Sequence, residues 1–333
     1  MKKLINKVEN VVKEEMMGIG KAYPHLLKVN LDPYVVSRAD APIMGKVGIV
    51  SGTGSGHEPV DYGFVGPGML DAACDGEIFT CQTPEAVIAC DRIANGGMGV
   101  LNIAKNFSGD VMSFEVGGEM ARDEGIPNEL VVIADDVAVE NSTWTQGRRG
   151  LGTALFAEKV CGAAADQGRN LQDCTAICKQ VNDWGRSMGM ALTSCTTPAK
   201  GSPTFDLPED MMEMGVGVHG EPGRKRMPLK EADEIVEILA DAIITDLPYK
   251  SGDEVWALVN GLGGTPLVEL YVVYNKLADI CSKKGIKIAR NLVGNYVTSL
   301  DMAGCSITLV KLDYNLIKLW DYPVNTFALR WGV

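Results

Sequence analysis

Three short strand-like runs in the first half of this chain, residues 46–51, 99–104 and 130–134, are separated by helix-length stretches, and this alternation constrains the fold more than any other feature. The intervening segments 83–93 and 112–124 carry helical periodicity. Strands that alternate with helices predict a mostly parallel α/β sheet. In such sheets the ligand lies beyond the carboxyl ends of the strands. The first run opens into Ser51-Gly52-Thr53-Gly54-Ser55-Gly56-His57, and the second ends at Lys105-Asn106-Phe107-Ser108-Gly109-Asp110. His57, Lys105 and Asp110 therefore all follow strand ends, which predicts that they share one site.

The rest of the chain repeats this logic. Segments 152–167 and 171–184 read as helices, the second with Asn170 as its N-cap. A loop-rich stretch, 193–208, is punctuated by Thr197-Pro198, Ser202-Pro203 and Leu207-Pro208. Beyond it come a helix over 232–245, a strand over 254–259 and the glycine loop Asn260-Gly261-Leu262-Gly263-Gly264-Thr265-Pro266. Thr265 as cap and Pro266 at the first helical position start a helix to about residue 284. Residues 286–297 and 306–312 read as further strands. The N-terminal segment 4–16 patterns as an amphipathic helix that stops at Gly18. The expected fold is two α/β domains, 1–185 and 186–333, each a mostly parallel or mixed sheet flanked by helices.

Composition narrows the function classes. The net charge of -12 argues against a nucleic-acid surface. No apolar run approaches the roughly 20 residues that span a bilayer, so no membrane role is expected. The lysines near the N-terminus are followed by Glu9, Glu14 and Glu15 rather than by the apolar core of a signal peptide. Nine cysteines, an odd number scattered along the chain, do not suggest a disulfide framework. Cys174 and Cys178 lack further ligands at zinc spacing, so the cysteines are read as small buried residues of a cytoplasmic protein.

The chemistry concentrates on histidine. The chain has three, and two lie in glycine-rich loops closely followed by Glu-Pro: Gly54-Ser55-Gly56-His57-Glu58-Pro59 and Gly215-Val216-Gly217-Val218-His219-Gly220-Glu221-Pro222-Gly223. Imidazole ionises near neutrality and serves as acid, base or nucleophile. Glycine removes side-chain bulk beside it. His219 could bind metal, shuttle protons, add to a carbonyl or cap a turn; the open loop favours chemistry. The loop before His57 has the look of a phosphate cradle. It matches neither the P-loop pattern nor the dinucleotide spacing. Asp110 is an acid–base candidate or a helix cap, and Lys105 could hydrogen-bond a substrate hydroxyl. His25 reads as structural. Gly147-Arg148-Arg149-Gly150 reads equally as a basic interaction spot or a solvated turn.

These motifs, joined by Ser37-Arg38-Ala39-Asp40-Ala41-Pro42, Gly76-Glu77-Ile78-Phe79-Thr80, Asp135-Asp136-Val137-Ala138-Val139 and Thr298-Ser299-Leu300-Asp301-Met302, occur in an order that closely resembles the dihydroxyacetone kinase K subunit over nearly the whole chain. The resemblance implies that His219 holds a ketose as a covalent hemiaminal and that His57 and Asp110 act as base and acid. It implies that Gly54, Ser55, Gly56 and Lys105 contact the substrate, and that two such chains form a homodimer. Thr53 stands where several family members have glycine. No nucleotide loop or acidic metal cluster follows residue 185, so no cofactor is expected on this chain. By resemblance the donor site, ADP or ATP with Mg, belongs to a separate L subunit, recharged in phosphotransferase-type systems by a phosphohistidine M subunit fed from phosphoenolpyruvate. The implied product is dihydroxyacetone phosphate. A subunit for a longer ketose such as erythrulose, or a ketose-sensing coactivator without catalysis, are the alternatives.

Overall fold

A computed structural model describes residues 2–139 and 147–333. The chain forms two compact units, each assembled from separate stretches: Lys2–Ile133, Ala154–Gln180 and Lys318–Val333 in one, and Ala134–Thr153 with Val181–Ile317 in the other. This differs from the linear division at 185/186. The break in sequence falls close by, between Gln180 and Val181, but the segment after residue 133 and the C-terminal segment each belong to the opposite unit.

The first unit begins with α1 (Val11–Ala22), followed by β1 (Leu27–Leu31), β2 (Tyr34–Arg38), β3 (Gly48–Gly54), β4 (Ala72–Gly76), α2 (Pro84–Ala94), β5 (Val100–Lys105), α3 (Ser108–Asp123) and β6 (Asn128–Ile133). Its sheet runs in the order β1-β2-β4-β3-β5-β6. The pairs β3–β4, β3–β5 and β5–β6 are parallel, whereas β1 and β2 join as an antiparallel edge. Strand β3 thus has its successor β4 on one side and β5 on the other. The strand order reverses between β3 and β5, where a doubly wound sheet opens a crevice at its carboxyl ends. Helices α2 and α3 bury Val87, Ile88 and Phe114 against Val50, Val100 and Ala104, each large side chain contributing about 1.5–3 kcal/mol.

Two further helices, α4 (Thr153–Asp166) and α5 (Leu171–Trp184), match the expected spans, and Asn170 accepts the Asp173 N–H at 2.8 Å as the expected cap. The N-terminal helix differs from expectation. It lies over 11–22 and runs through Gly18 and Gly20, burying Val12 and Met16 while Leu4 stays fully exposed. A Cβ at Gly20 would meet Val29 Cγ2 at 3.2 Å, so close packing on β1 favours glycine inside this helix.

The second unit comprises β7 (Gly185–Ala191), β8 (Met211–Met214), β9 (Lys225–Pro228), α6 (Ala232–Asp246), β10 (Glu254–Gly261), α7 (Leu267–Lys283), β11 (Lys287–Gly294) and β12 (Gly304–Leu312). Its sheet order is β11-β10-β12-β7-β8-β9, and among the described strand pairs only β10–β11 is parallel. The mixed alternative therefore describes this unit. Leu239, Ile243, Leu270 and Leu277 of α6 and α7 pack with Val255, Ala257 and Val259 of β10. Pro266 is the N-cap of α7 rather than its first residue, because the Thr265 hydroxyl is engaged with the backbone of Gly304 instead. The chain closes with α8 (Tyr314–Asp321) and the short pair β13 (Val324–Asn325) and β14 (Arg330–Trp331).

All nine cysteines are free; eight are buried and Cys81 is half-buried. Among the described residues no group of His, Cys, Asp and Glu is arranged to hold a metal ion, and no helix is long and apolar enough to cross a membrane.

Candidate functional site

Gly54 is the last residue of β3, and the chain turns sharply past it. A Cβ there would stand 2.4 Å from the Thr80 carbonyl oxygen, so any side chain would displace the 76–80 strap. Ser55 anchors the turn. Its hydroxyl donates toward Asp75 at 2.8 Å and the Gly76 carbonyl at 2.9 Å, its own N–H reaches Gly76, and its carbonyl accepts the Phe79 N–H. Gly56 sits at φ +104°, a left-handed conformation that suits glycine, and its N–H donates to Glu58 Oε1 at 2.6 Å. Tyr62 ties Glu58 to Glu15 by hydroxyl contacts of 2.9 and 2.6 Å. Burial, then the nearby Glu58, raises the Glu15 carboxyl to about 7. The His57 ring is 1% exposed and stacks on Phe79 with centroids 5.0 Å apart.

Lys105 ends β5, the neighbour of β3, and is buried. Its ammonium lies 2.6 Å from Asp61, 3.3 Å from the Ser51 hydroxyl and 3.8 Å from Glu158. Burial alone would lower its pKa, but Asp61 and Glu158 outweigh that and hold it above the ordinary lysine value. Burial pushes the Glu158 carboxyl well up, with Asp61 adding repulsion that Lys105 only partly offsets. Lys105 thus stands between Asp61 and Glu158 in one buried cluster, where the ammonium beside the carboxyl groups offsets part of the cost of burial.

Asp110 lies in the first turn of α3, 2% exposed, and its Oδ1 accepts no hydrogen bond from the described residues. Burial raises its pKa to about 7; Lys105 pulls it down and Asp61 pushes it up. A buried carboxyl poised at neutrality is chemically able both to give and to take a proton.

His219 belongs to the second unit. Its loop leaves β8 through Gly215, whose φ is +74° and whose N–H donates to the Gly189 carbonyl at 2.7 Å. Val216 and Val218 are buried, whereas His219 is half-buried. Gly220, at φ +75°, would bring a Cβ to 2.8 Å from Cys195 Sγ.

The structure thus gathers Gly54, Ser55, Gly56, His57, Lys105 and Asp110 in one unit at the reversal of its sheet and places His219 in the other unit. His25 lies exposed in the turn before β1. The expected basic spot or solvated turn at 147–150 is neither. Arg149 is buried and ion-paired to Asp136, and Arg148 pairs with Asp246. Sequence reasoning missed Asp61 and Glu158. Glu158 had a signal, since it stands with Lys159 in the otherwise apolar stretch 154–165 of α4; Asp61 had none.

Full-length similarity extends to the dihydroxyacetone-binding subunit DhaK of the PEP-dependent dihydroxyacetone kinase of Escherichia coli, at 47% identity with both chains covered completely. The corresponding subunit of a PTS-dependent kinase from Lactococcus lactis is 41% identical over 99% of each chain. Among solved structures, the dihydroxyacetone kinase operon co-activator DhaQ superposes with a TM-score of 0.89 at 30% identity, covering 97% of this chain and 98% of that one. The dihydroxyacetone kinase of C. freundii superposes at 0.87 with 28% identity, covering 99% of this chain and 61% of that one. A Dak1 domain model matches residues 17–328, nearly the entire fold, and the chain belongs to the Dak1-domain family.

Proposed function

We propose that this chain is the dihydroxyacetone-binding subunit of a dihydroxyacetone kinase. The observation that carries the reading is Asp110: buried, poised near pH 7 and beside Lys105, with an oxygen that accepts no hydrogen bond from the described residues, at the carboxyl ends of the strands where the sheet order reverses. The full-length likeness to DhaK subunits supports the same substrate.

In this reading a ring nitrogen of His219 adds to the C2 ketone. The N–C bond forms as the carbonyl π pair moves onto oxygen, the oxygen takes a proton, and the imidazolium gives up its own ring proton. Proton balance is kept, and the product is a neutral hemiaminal. A short ketose has few handles, and covalent capture selects ketones over glycerol, which lacks the carbonyl. His57 and Asp110 serve as base and acid. His57 removes the proton of the terminal hydroxyl as that oxygen attacks the incoming phosphorus, while Asp110, protonated near neutrality, donates to a substrate oxygen. Gly54, Ser55, Gly56 and Lys105 orient the hydroxyls. The phosphoryl donor, ADP- or ATP-based with Mg, sits on a separate L subunit, with the M subunit upstream, and the K chain works as a homodimer.

The test combines the purified chain with an L subunit, its donor and dihydroxyacetone, and measures dihydroxyacetone phosphate. Formation that disappears in His219→Ala, together with the substrate adduct in intact-protein mass spectrometry, supports the reading; an adduct that survives His219→Ala refutes the nucleophile. The likeness to the DhaQ co-activator favours one second reading, a ketose sensor. Adduct formation without turnover with any L partner would point there. Product from erythrulose in preference to dihydroxyacetone would point to the longer ketose, as the 35% identical L-erythrulose kinase of Pectobacterium atrosepticum suggests.

A further inference from the structure

Two motifs, Asp135-Asp136-Val137-Ala138-Val139 and Gly147-Arg148-Arg149-Gly150, have no part in the chemistry above. Within the second unit they meet the His219 loop. Asp136 is fully buried, and its Oδ2 receives Arg149 Nε at 2.8 Å and Nη2 at 2.6 Å. The remaining donors of the same guanidinium reach the loop itself. Nη2 donates to the Gly215 carbonyl at 2.8 Å, and Nη1 lies 2.9 Å from Glu221 Oε1. The other oxygen of Glu221 accepts the backbone N–H of His219. Gly217 leaves the space for this crossing, since a Cβ there would stand 2.0 Å from Glu221 Oε1 and 2.7 Å from Arg149 Nη1.

We propose that Arg149 and Glu221 are positioning residues for His219, joining a buried aspartate to the backbone N–H of the nucleophile through one guanidinium and one carboxylate. The physical case rests on rigidity. A loop of glycine and valine has little of its own to hold a nucleophile in line with a ketone. An arginine fork with fixed donor directions, itself fixed by a buried carboxylate, ties both ends of that loop. Glu221 is the one member partly open to solvent, with its side chain 36% exposed. It can therefore be changed with less disturbance to the fold than Asp136. Misplacing a nucleophile by about 1 Å costs up to roughly a hundredfold in rate. Because adduct formation is the capture step, the loss falls on apparent affinity and not on the transfer that follows.

This inference rests on the hemiaminal reading, and its test separates the two. The full chain, Glu221→Ala, Glu221→Gln and His219→Ala are titrated with dihydroxyacetone, adduct is read by intact-protein mass spectrometry, and KM and kcat are measured with the L subunit. Folding of each variant is checked by circular dichroism and thermal midpoint. Glu221→Ala is expected to raise both the half-saturation of the adduct and KM by about tenfold to a hundredfold with kcat near that of the parent. Glu221→Gln is expected to recover part of this, because its carboxamide oxygen still accepts the His219 N–H. A folded Glu221→Ala with the parent's half-saturation and KM overturns the positioning role. If Glu221→Ala does not fold, Arg149→Lys takes its place, judged by the same half-saturation per folded molecule. No adduct in the parent, or an adduct in His219→Ala, refutes the underlying reading instead.

Discussion

Replacing Asp110 by asparagine should stabilise this protein while disabling it. The side chain is 2% exposed, and its pKa rises from an ordinary aspartate value of 3.8 to about 7. Below pH 3.8 the carboxyl is protonated in both folded and unfolded chains and contributes nothing pH-dependent. Between about 4 and 7 the unfolded chain releases the proton and the folded chain keeps it. Stability therefore falls as pH rises through this window, by about 1.4 kcal/mol per unit. Above 7 the penalty levels off at about 4 kcal/mol, an upper bound because buried sites relax and admit water. Asparagine keeps the shape and carries no ionisation, so it escapes the penalty. Urea unfolding of parent and variant at pH 4, 6 and 8 reads the difference directly. The variant is expected to gain most at pH 8 and almost nothing at pH 4, with turnover lower by about 10²–10⁴. A stability gap that does not change with pH would refute the poised-carboxyl argument, and so would a variant less stable at pH 8. Trading stability for reactivity in this way is common at catalytic groups.

Three further outcomes follow from the geometry. His57→Asn should retain the adduct and lose about 10²–10⁴ of turnover, measured with the L subunit at saturating ketose; unchanged turnover would remove His57 as base. Gly54→Ala forces a Cβ to within 2.4 Å of the Thr80 carbonyl, so KM for the ketose should rise at least tenfold by steady-state kinetics. Lys105→Met leaves Asp61 without its cation in a buried cluster and should lower stability by about 3–5 kcal/mol in chemical denaturation, whereas exposed Lys287→Met should change it by less than about 1 kcal/mol.

Where the sequence was legible, a single physical cause dominated. Strands β3, β5 and β6 are apolar runs ended by glycine or charge, and α5 is periodic with an asparagine cap, so each forms where expected, with the strand bounds shifted by one to three residues and β3 extended through Gly54. Strand β4 was not legible, because Ala72-Ala73-Cys74-Asp75-Gly76 has neither β-branched residues nor alternation. It is a strand because β2 and β3 pair with it on both sides. Short β8 and β9 were hidden for the same reason. In the first unit, the placement of His57, Lys105 and Asp110 just past strand ends was legible from the alternation of strands and helices. The buried partners Asp61 and Glu158 were not, since only the tertiary arrangement brings residues 61, 105 and 158 together. Arg149 was misjudged because exposure cannot be read from a basic dipeptide between glycines.

The unit that carries His57 is built from three stretches of chain, the last being residues 318–333. Gly66 and Gly68 press against the backbone of Asn325 and Pro323, and the buried Lys159 ammonium donates to the Leu319 carbonyl. A ribosome must therefore have synthesised the chain through residues 318–333 before this unit can be completed. Until then the nascent β3–β5 sheet waits with part of its packing missing, in the slow, non-local regime of assembly. Chaperone dependence during synthesis should accordingly exceed that of a protein whose corresponding unit is one uninterrupted stretch.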